Sequence, residues 1–226
     1  MTAYFVTGVG TEIGKTYVSC ALLKAKRAEG AKVRAVKPLM SGFDPDDIES
    51  SDAGQLIQAC GLNVNADTLA DVCAHSFVPP VAPNLAARQA GVSLEDGAIL
   101  QFIRARLASD AFTLVEGAGG VLSPVTDTLN HAGLIAALNL PAIVVGANYL
   151  GAISHTLSAL EALDKRGIPI AAMVVSQPTP DAPPPQALIE EISRFRAAPY
   201  VSAPFGADPQ SLGANVAKTI GAAANA

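Results

Sequence analysis

Apolar positions along the chain fall into two patterns. Short blocks such as Ala3-Tyr4-Phe5-Val6-Thr7, Phe112-Thr113-Leu114-Val115-Glu116, Ala142-Ile143-Val144-Val145 and residues 170–175 predict strands. Between them, apolar residues recur at helical spacing. Residues 16–29 carry Val18, Ala21, Leu22 and Ala25, and Gly30 follows as a C-cap. The tetrapeptide Ser93-Leu94-Glu95-Asp96 resembles a capping start, and Ile99, Phe102, Ile103 and Leu107 extend that helix to Ser109. Further helices are predicted from Ser51 or Asp52 to Cys60, over 152–165, over 185–196 and over 209–223, and a last strand at Tyr200-Val201.

Punctuation between these elements carries information of its own. Residues 32–38 form a short strand stopped by Pro38, which puts Lys37 at a strand's carboxyl end, where open α/β sheets place their ligands. Residues 41–52, rich in Gly, Asp, Pro and Ser, read as a mobile surface loop. Residues 61–92 are less regular, and Phe77-Val78-Pro79-Pro80-Val81-Ala82-Pro83 cannot be a central strand, so it is read as a site wall. Strands alternating with helices predict an α/β fold: a mostly parallel sheet with right-handed crossovers and helices on both faces.

With 226 residues, 50% of them hydrophobic, the chain can bury a sizeable core and is read as one domain over 1–226. A net charge of −5 without a Lys/Arg cluster argues against a nucleic-acid or anionic-membrane surface. The apolar runs are strand-sized, short of the ~18 residues a membrane helix needs, and the N-terminus has no basic region before a long apolar core, so neither membrane span nor secretory signal is expected. Cys20, Cys60 and Cys73 have no C-x-x-C spacing, which points to reduced cysteines and a cytoplasmic protein. His75, His131 and His155 share no ligand spacing and read as surface or packed residues.

The stretch Gly8-Val9-Gly10-Thr11-Glu12-Ile13-Gly14-Lys15-Thr16 follows a strand and opens a helix. Glycines there let backbone N–H groups close around phosphate oxygens, the helix N-terminus adds partial positive charge, Lys15 adds a full one, and Thr16 offers a hydroxyl for magnesium. Counted from Gly8, the loop is one residue longer than the common phosphate-loop pattern. A dinucleotide loop, Gly8-x-Gly10-x-x-x-Gly14, is a second reading, but it leaves Lys15 and Thr16 without a task; an ordinary Gly-rich turn is a third. Asp52 has the character of a helix N-cap or first-turn acid. Glu116 ends an apolar strand beside Gly117-Ala118-Gly119-Gly120, and a carboxylate at such a tip needs a partner, for which a metal or metal-bound water is the usual candidate in a phosphate site.

Three separated elements, Thr7-Gly8-x-x-Thr11-Glu12-x-Gly14-Lys15-Thr16, Lys37-Pro38-x-x-Ser41-Gly42 and Val115-Glu116-Gly117-Ala118-Gly119-Gly120, together resemble the dethiobiotin synthetase family. The likeness extends to Phe77-x-x-Pro80-Val81-Ala82-Pro83 and Leu150-Gly151-x-Ile153-x-His155. The resemblance implies a homodimer that uses Mg2+ and a nucleoside triphosphate, usually ATP, to close a cyclic urea from 7,8-diaminopelargonate and CO2. It further implies that Lys15 binds the β- and γ-phosphates, that Thr16, Asp52 and Glu116 hold the metal with Glu12 as an acid on that side, and that Thr11, Lys37 and Ser41 hold the carbamate. Lys37, Lys15 and Thr11 are the catalytic candidates. The nucleotide would touch Glu12, Ile13, Gly14, Lys15, Thr16, Tyr17, Glu116, Gly119, Ser176 and Gln177, and the substrate would reach Leu150, Gly151 and Ser154 at the neighbouring subunit.

The sequence departs from that family twice. Ser154 stands where an asparagine is more usual, and Ser176-Gln177-Pro178 follows a strand after which better-known members carry an adenine-reading asparagine. Two rival readings are a partition-type regulatory ATPase, which usually carries an extra loop lysine about where Gly10 stands, and an amide-forming or cyclising ligase of related fold.

Overall fold

A computed structural model of the protein describes residues 2–107 and 110–224. Six parallel strands form the main sheet in the order β2-β5-β1-β6-β7-β8, with β1 at Thr2–Gly8, β2 at Val33–Val36, β5 at Phe112–Glu116, β6 at Ala142–Ala147, β7 at Ile170–Ser176 and β8 at Tyr200–Ala203. Because the sheet is covered on both faces, its inner strands are apolar at nearly every position. Alternation still sorts them. Tyr4 and Val6 of β1 point to the layer of α1 (Lys15–Ala28), α2 (Asp52–Ala59) and α9 (Pro209–Ala223), whereas Ala3 and Phe5 point to α5 (Asp96–Arg104), α6 (His131–Leu138), α7 (Ala152–Asp164) and α8 (Pro185–Ser193).

A small unit lies beyond β2. There β3 (Leu39–Ser41) and β4 (His75–Phe77) pair in parallel, with α3 (Ala66–Val72) and α4 (Pro83–Gln89) alongside. Neither three-residue strand nor α3, α4 and α6 is predicted from periodicity, since such short elements span too few residues for a repeat to show. The 41–52 segment is more than a surface loop: Phe43 is buried with Met40, Ile57 and Val72, and Ile48 packs against them. The helix expected to run to Ser109 instead ends at Arg104, and Ser109 lies outside the described residues. Its N-cap is Glu95, without a side-chain cap bond, while the Ser93 hydroxyl is engaged by the Glu95 carboxylate; no capping box forms there. Beyond the helix end, Arg106 folds back over the Phe102 ring, 3.5 Å from its centroid, and bonds the Asp71 carbonyl. The helix expected over 185–196 likewise stops at Ser193.

Among the described residues no helix is long and apolar enough to cross a membrane. All three cysteines are free, and burial pushes the Cys20 thiol up to about 12 and those of Cys60 and Cys73 to about 11, which keeps them unreactive thiols.

Helix α9 lies directly on α1, the helix that carries the phosphate loop. A Cβ at Gly213 would sit 2.1 Å from the Ala21 carbonyl oxygen. Gly213→Ala would gain about 1 kcal/mol of helix propensity, yet it forces two backbones apart, an overpacking cost of about 1–3 kcal/mol. The expected net result is destabilisation, read as a lower urea midpoint. A raised midpoint would show that the helices separate without cost.

Candidate active site

Sheet register assembles the site. Val6 pairs with Glu116 across β1 and β5, and Val36 pairs with Val115 across β2 and β5. The phosphate loop, Glu116 and Lys37 therefore leave three adjacent strands at the same level, at the carboxyl edge where consecutive strands part to opposite sides of β1. Asp52 comes from α2, where Ser51 is the N-cap, so Asp52 is a first-turn acid and also faces this edge. Together these residues bound a cleft of about 560 Å³, walled by Met40, Ser41 and Pro80 to Pro83 on one side and by Ala118, Gly119 and Ser123 on another.

The loop is held open by backbone geometry. Gly14, the N-cap of α1, takes φ 89°, a left-handed conformation that glycine adopts without strain, and it provides no side chain to cap the first N–H groups of the helix. Those donors are left for an anion. Lys15 is buried and its Nζ donates to the Gly10 carbonyl at 2.7 Å. Burial first, and then the neighbouring Lys37, lower its pKa to about 8. A polyphosphate in the cleft would favour its charged form further.

Beneath the loop lies a cluster of charge. Lys37, only 2% exposed, donates to Asp52 Oδ2 and Glu116 Oε1, both at 2.7 Å, and to the Gly117 carbonyl at 3.3 Å. Burial alone would lower its pKa, but the carboxylates of Glu116 and Asp52 outweigh that and hold the ammonium charged, above the ordinary lysine range. Asp52 loses to burial but gains more from Lys37 and from the Thr16 hydroxyl, and its pKa lies below the ordinary value. Thr16 Oγ1 stands 2.9 Å from both Asp52 Oδ1 and Glu116 Oε1, with one hydroxyl proton for two acceptors. Three hard oxygens so disposed suit a divalent cation such as Mg2+. Among the described residues no group of three or more His, Cys, Asp or Glu does so.

The segment after Glu116 is braced from below by His131, which is 2% exposed. Its Nε2 accepts the Ala118 N–H at 2.9 Å, and its Nδ1, 2.9 Å from the Ser123 carbonyl, must donate, since a carbonyl only accepts. Ser123 in turn accepts the Gly120 N–H at 2.8 Å. Gly117 is required by this packing, for a Cβ there would come within 2.6 Å of the imidazole.

The structure gathers Thr11, Glu12, Ile13, Gly14, Lys15, Thr16, Tyr17, Lys37, Ser41, Asp52 and Gly119 around one cleft, with Glu116 directly behind. Glu12 stays at the exposed lip, at a left-handed φ of 57°, and makes no hydrogen bond among the described residues. Lys37 is not a solvated strand-end lysine, because two carboxylates draw it inside. Ser176 donates to the carbonyl of Ile13 at 2.8 Å or Gly146 at 3.1 Å, and the Gln177 amide bonds the Ala182 carbonyl and the Phe205 N–H, so both side chains already have backbone partners. Leu150, Gly151 and Ser154 line a separate open depression, with Leu150 fully in solvent. Sequence reasoning missed His131, which carries no positional signal, and Ser19, whose spacing from Thr16 places it on the same helix face.

A glycine-rich loop between a central parallel strand and a helix, with its lysine, hydroxyl and strand-tip acid, defines a phosphate-loop nucleotide-binding protein. The family model described as AAA domain matches residues 2–203. The ATP-dependent dethiobiotin synthetase BioD of Phenylobacterium zucineum (strain HLK1) is 47% identical over 208 residues, covering 90% of this chain and 89% of the relative. The proteins of the same name from Caulobacter vibrioides (strain NA1000 / CB15N) and Methylobacterium nodulans are 45% and 43% identical, covering 81% and 86% of this chain and 83% and 89% of theirs. This chain belongs to the dethiobiotin synthetase family.

The buried imidazole makes a pH signature. Its pKa falls from the ordinary 6.5 to about 4, chiefly through burial. Between those values the unfolded chain binds the extra proton, so stability is full above the upper value and declines as pH falls towards the lower, by about 3 kcal/mol in all. Urea unfolding across that range should show a flatter pH dependence in His131→Gln than in the parent. Equal slopes would mean that His131 is protonated in the fold.

Proposed function

We propose that the protein is an ATP-dependent cyclo-ligase forming dethiobiotin from 7,8-diaminopelargonate and CO2, acting as one domain over its length and as a cytoplasmic homodimer. The observation that carries this reading is a second buried lysine beside the phosphate loop: Lys37, between Asp52 and Glu116. A nucleotide switch needs its loop lysine and metal acids, whereas joining a carbamate to a triphosphate brings two anions together and needs a further positive charge at their meeting point.

In this reading one substrate amine takes up CO2 and loses a proton, giving a carbamate. A carbamate oxygen attacks the γ-phosphorus, the β–γ bridging oxygen leaves with ADP, and a carbamic-phosphoric anhydride results. The second amine then attacks the carbonyl carbon and gives up a proton, phosphate leaves, and the cyclic urea closes. Lys15 and the first N–H groups of α1 bind the phosphates, with Ile13, Tyr17 and Gly119 beside them, and Lys37, Thr11 and Ser41 orient the carbamate. Thr16, Asp52 and Glu116 would hold Mg2+, whose chemistry is to neutralise charge on the phosphate oxygens. Leu150, Gly151 and Ser154 would meet substrate held by the partner subunit, in keeping with the exposure of Leu150.

Phosphate release should require both the diamine and bicarbonate when each is omitted in turn. Lys37→Met retains the apolar stem and removes the charge; nucleotide affinity should fall modestly and urea formation by at least ~100-fold. Stability should fall too, by about 3–5 kcal/mol, because Glu116 is left buried without its ion pair. Calorimetric nucleotide binding and product formation on one folded preparation decide the matter. Both near parental values would remove Lys37 from catalysis, and both lost together would make it a triphosphate ligand alone.

With the side chains of Ser176 and Gln177 engaged by backbone, a nucleobase would be met without a matched amide. Discrimination among ATP, CTP, GTP and UTP at equal concentration should stay within about tenfold, since strong rejection requires a site built to pair the correct base. A preference for ATP in the thousands would overturn this expectation.

A further inference from the structure

Glu116 is gripped by a residue that the assignments above leave without a task. Ser19 is fully buried, and its Oγ donates to Glu116 Oε2 at 2.6 Å, the shortest hydrogen bond this carboxylate makes. It follows Thr16 by three positions on α1, so the two hydroxyls stand on one face of the helix, a turn apart. Thr16 and Lys37 meet Oε1, at 2.9 and 2.7 Å, while Ser19 meets Oε2. The side chains around Ser19 on this helix, Val18, Leu22 and Leu23, belong to the apolar core, where a hydroxyl without a partner would be costly. Its partner is the carboxylate.

We propose that Ser19 is a positioning residue for the metal site. By holding Oε2 it fixes the plane of the Glu116 carboxylate and presents Oε1 beside Thr16 Oγ1 and Asp52 Oδ1. Without that bond the carboxylate can rotate about its last torsion and offer either oxygen or neither. Thr16 and Ser19 thus clamp the acid from two successive turns of the helix that the phosphate loop opens, so phosphate binding and metal binding are built on one rigid element. This inference rests on the reading of Thr16, Asp52 and Glu116 as the cation's ligands.

The test uses Mn2+ as the probe, with the full-length protein saturated with the β,γ-methylene analogue of ATP and bound metal followed by electron paramagnetic resonance. Ser19→Ala should weaken Mn2+ binding by about tenfold or more, the range expected when a group orienting a metal ligand is removed. Binding of the analogue without metal should stay at the parental level. In a Glu116→Gln background the same change should add nothing further, because Ser19 acts through the carboxylate. If Ser19→Ala does not purify folded, Ser19→Cys, with its weak thiol donor on a similar frame, should show a smaller loss in the same sense. Parental Mn2+ affinity in the folded serine variant, or an equal loss in both backgrounds, would overturn the proposal. Failure of the parental protein itself to take up Mn2+ with the analogue would instead overturn the metal-site reading on which it stands.

Discussion

An ammonium and a carboxylate share almost dry space at the edge of the sheet, with the half-exposed Asp52 at its rim, and the rest of the structure depends on these charges being matched. Lys37 and Glu116 are 2% and 1% exposed, and neither could remain charged there alone. Removing one partner leaves the other stranded, so the cluster contributes to stability as well as to the site. It also keeps charge in reserve. An arriving polyphosphate with its cation meets donors and acceptors already oriented, and little reorganisation is needed at the moment of reaction.

What allows such a cluster is the parallel sheet. Strands β2, β5 and β1 end at one level because their register pairs Val36 with Val115 and Glu116 with Val6. Lys37, Glu116 and the phosphate loop therefore meet from three different strands. Helix α1 supplies Thr16 and Ser19 from one face, and α9 pins that helix by an approach only Gly213 permits. Packing far from the chemistry thus fixes distances within it.

The loop after Glu116 follows a different logic. Two of its N–H groups, those of Ala118 and Gly120, are satisfied by His131 and by Ser123, both neutral acceptors. A charged brace there would be repelled by Lys37 and Lys15. Burial, which holds the imidazole uncharged down to about 4, makes it a brace of fixed tautomer.

Apolar blocks and helical repeats were enough to place all six strands of the main sheet and its longer helices, because those elements bury one side against a continuous layer and their period shows it. The phosphate loop was equally legible, since glycines, Lys15 and Thr16 are contiguous and their chemistry is local. Lys37, Asp52 and Glu116 were visible one by one as strand-end and helix-start charges. Asp52 and Glu116 were brought together only by the family resemblance, and their pairing with Lys37 was not visible, because it depends on a register between strands separated by 79 residues in the case of Lys37 and Glu116. The pairing of β3 with β4 and the burial of Phe43 were hidden for the same reason: three-residue strands carry no period, and their partner lies outside any local window. His131 and Ser19 acquire their roles only from what the fold brings against them, a peptide N–H in one case and a carboxylate oxygen in the other. The sequence by itself determined the layers and the kind of ligand, whereas tertiary structure alone decided which charges pair and which side chains hold them still, since those contacts are set by distance in space rather than along the chain.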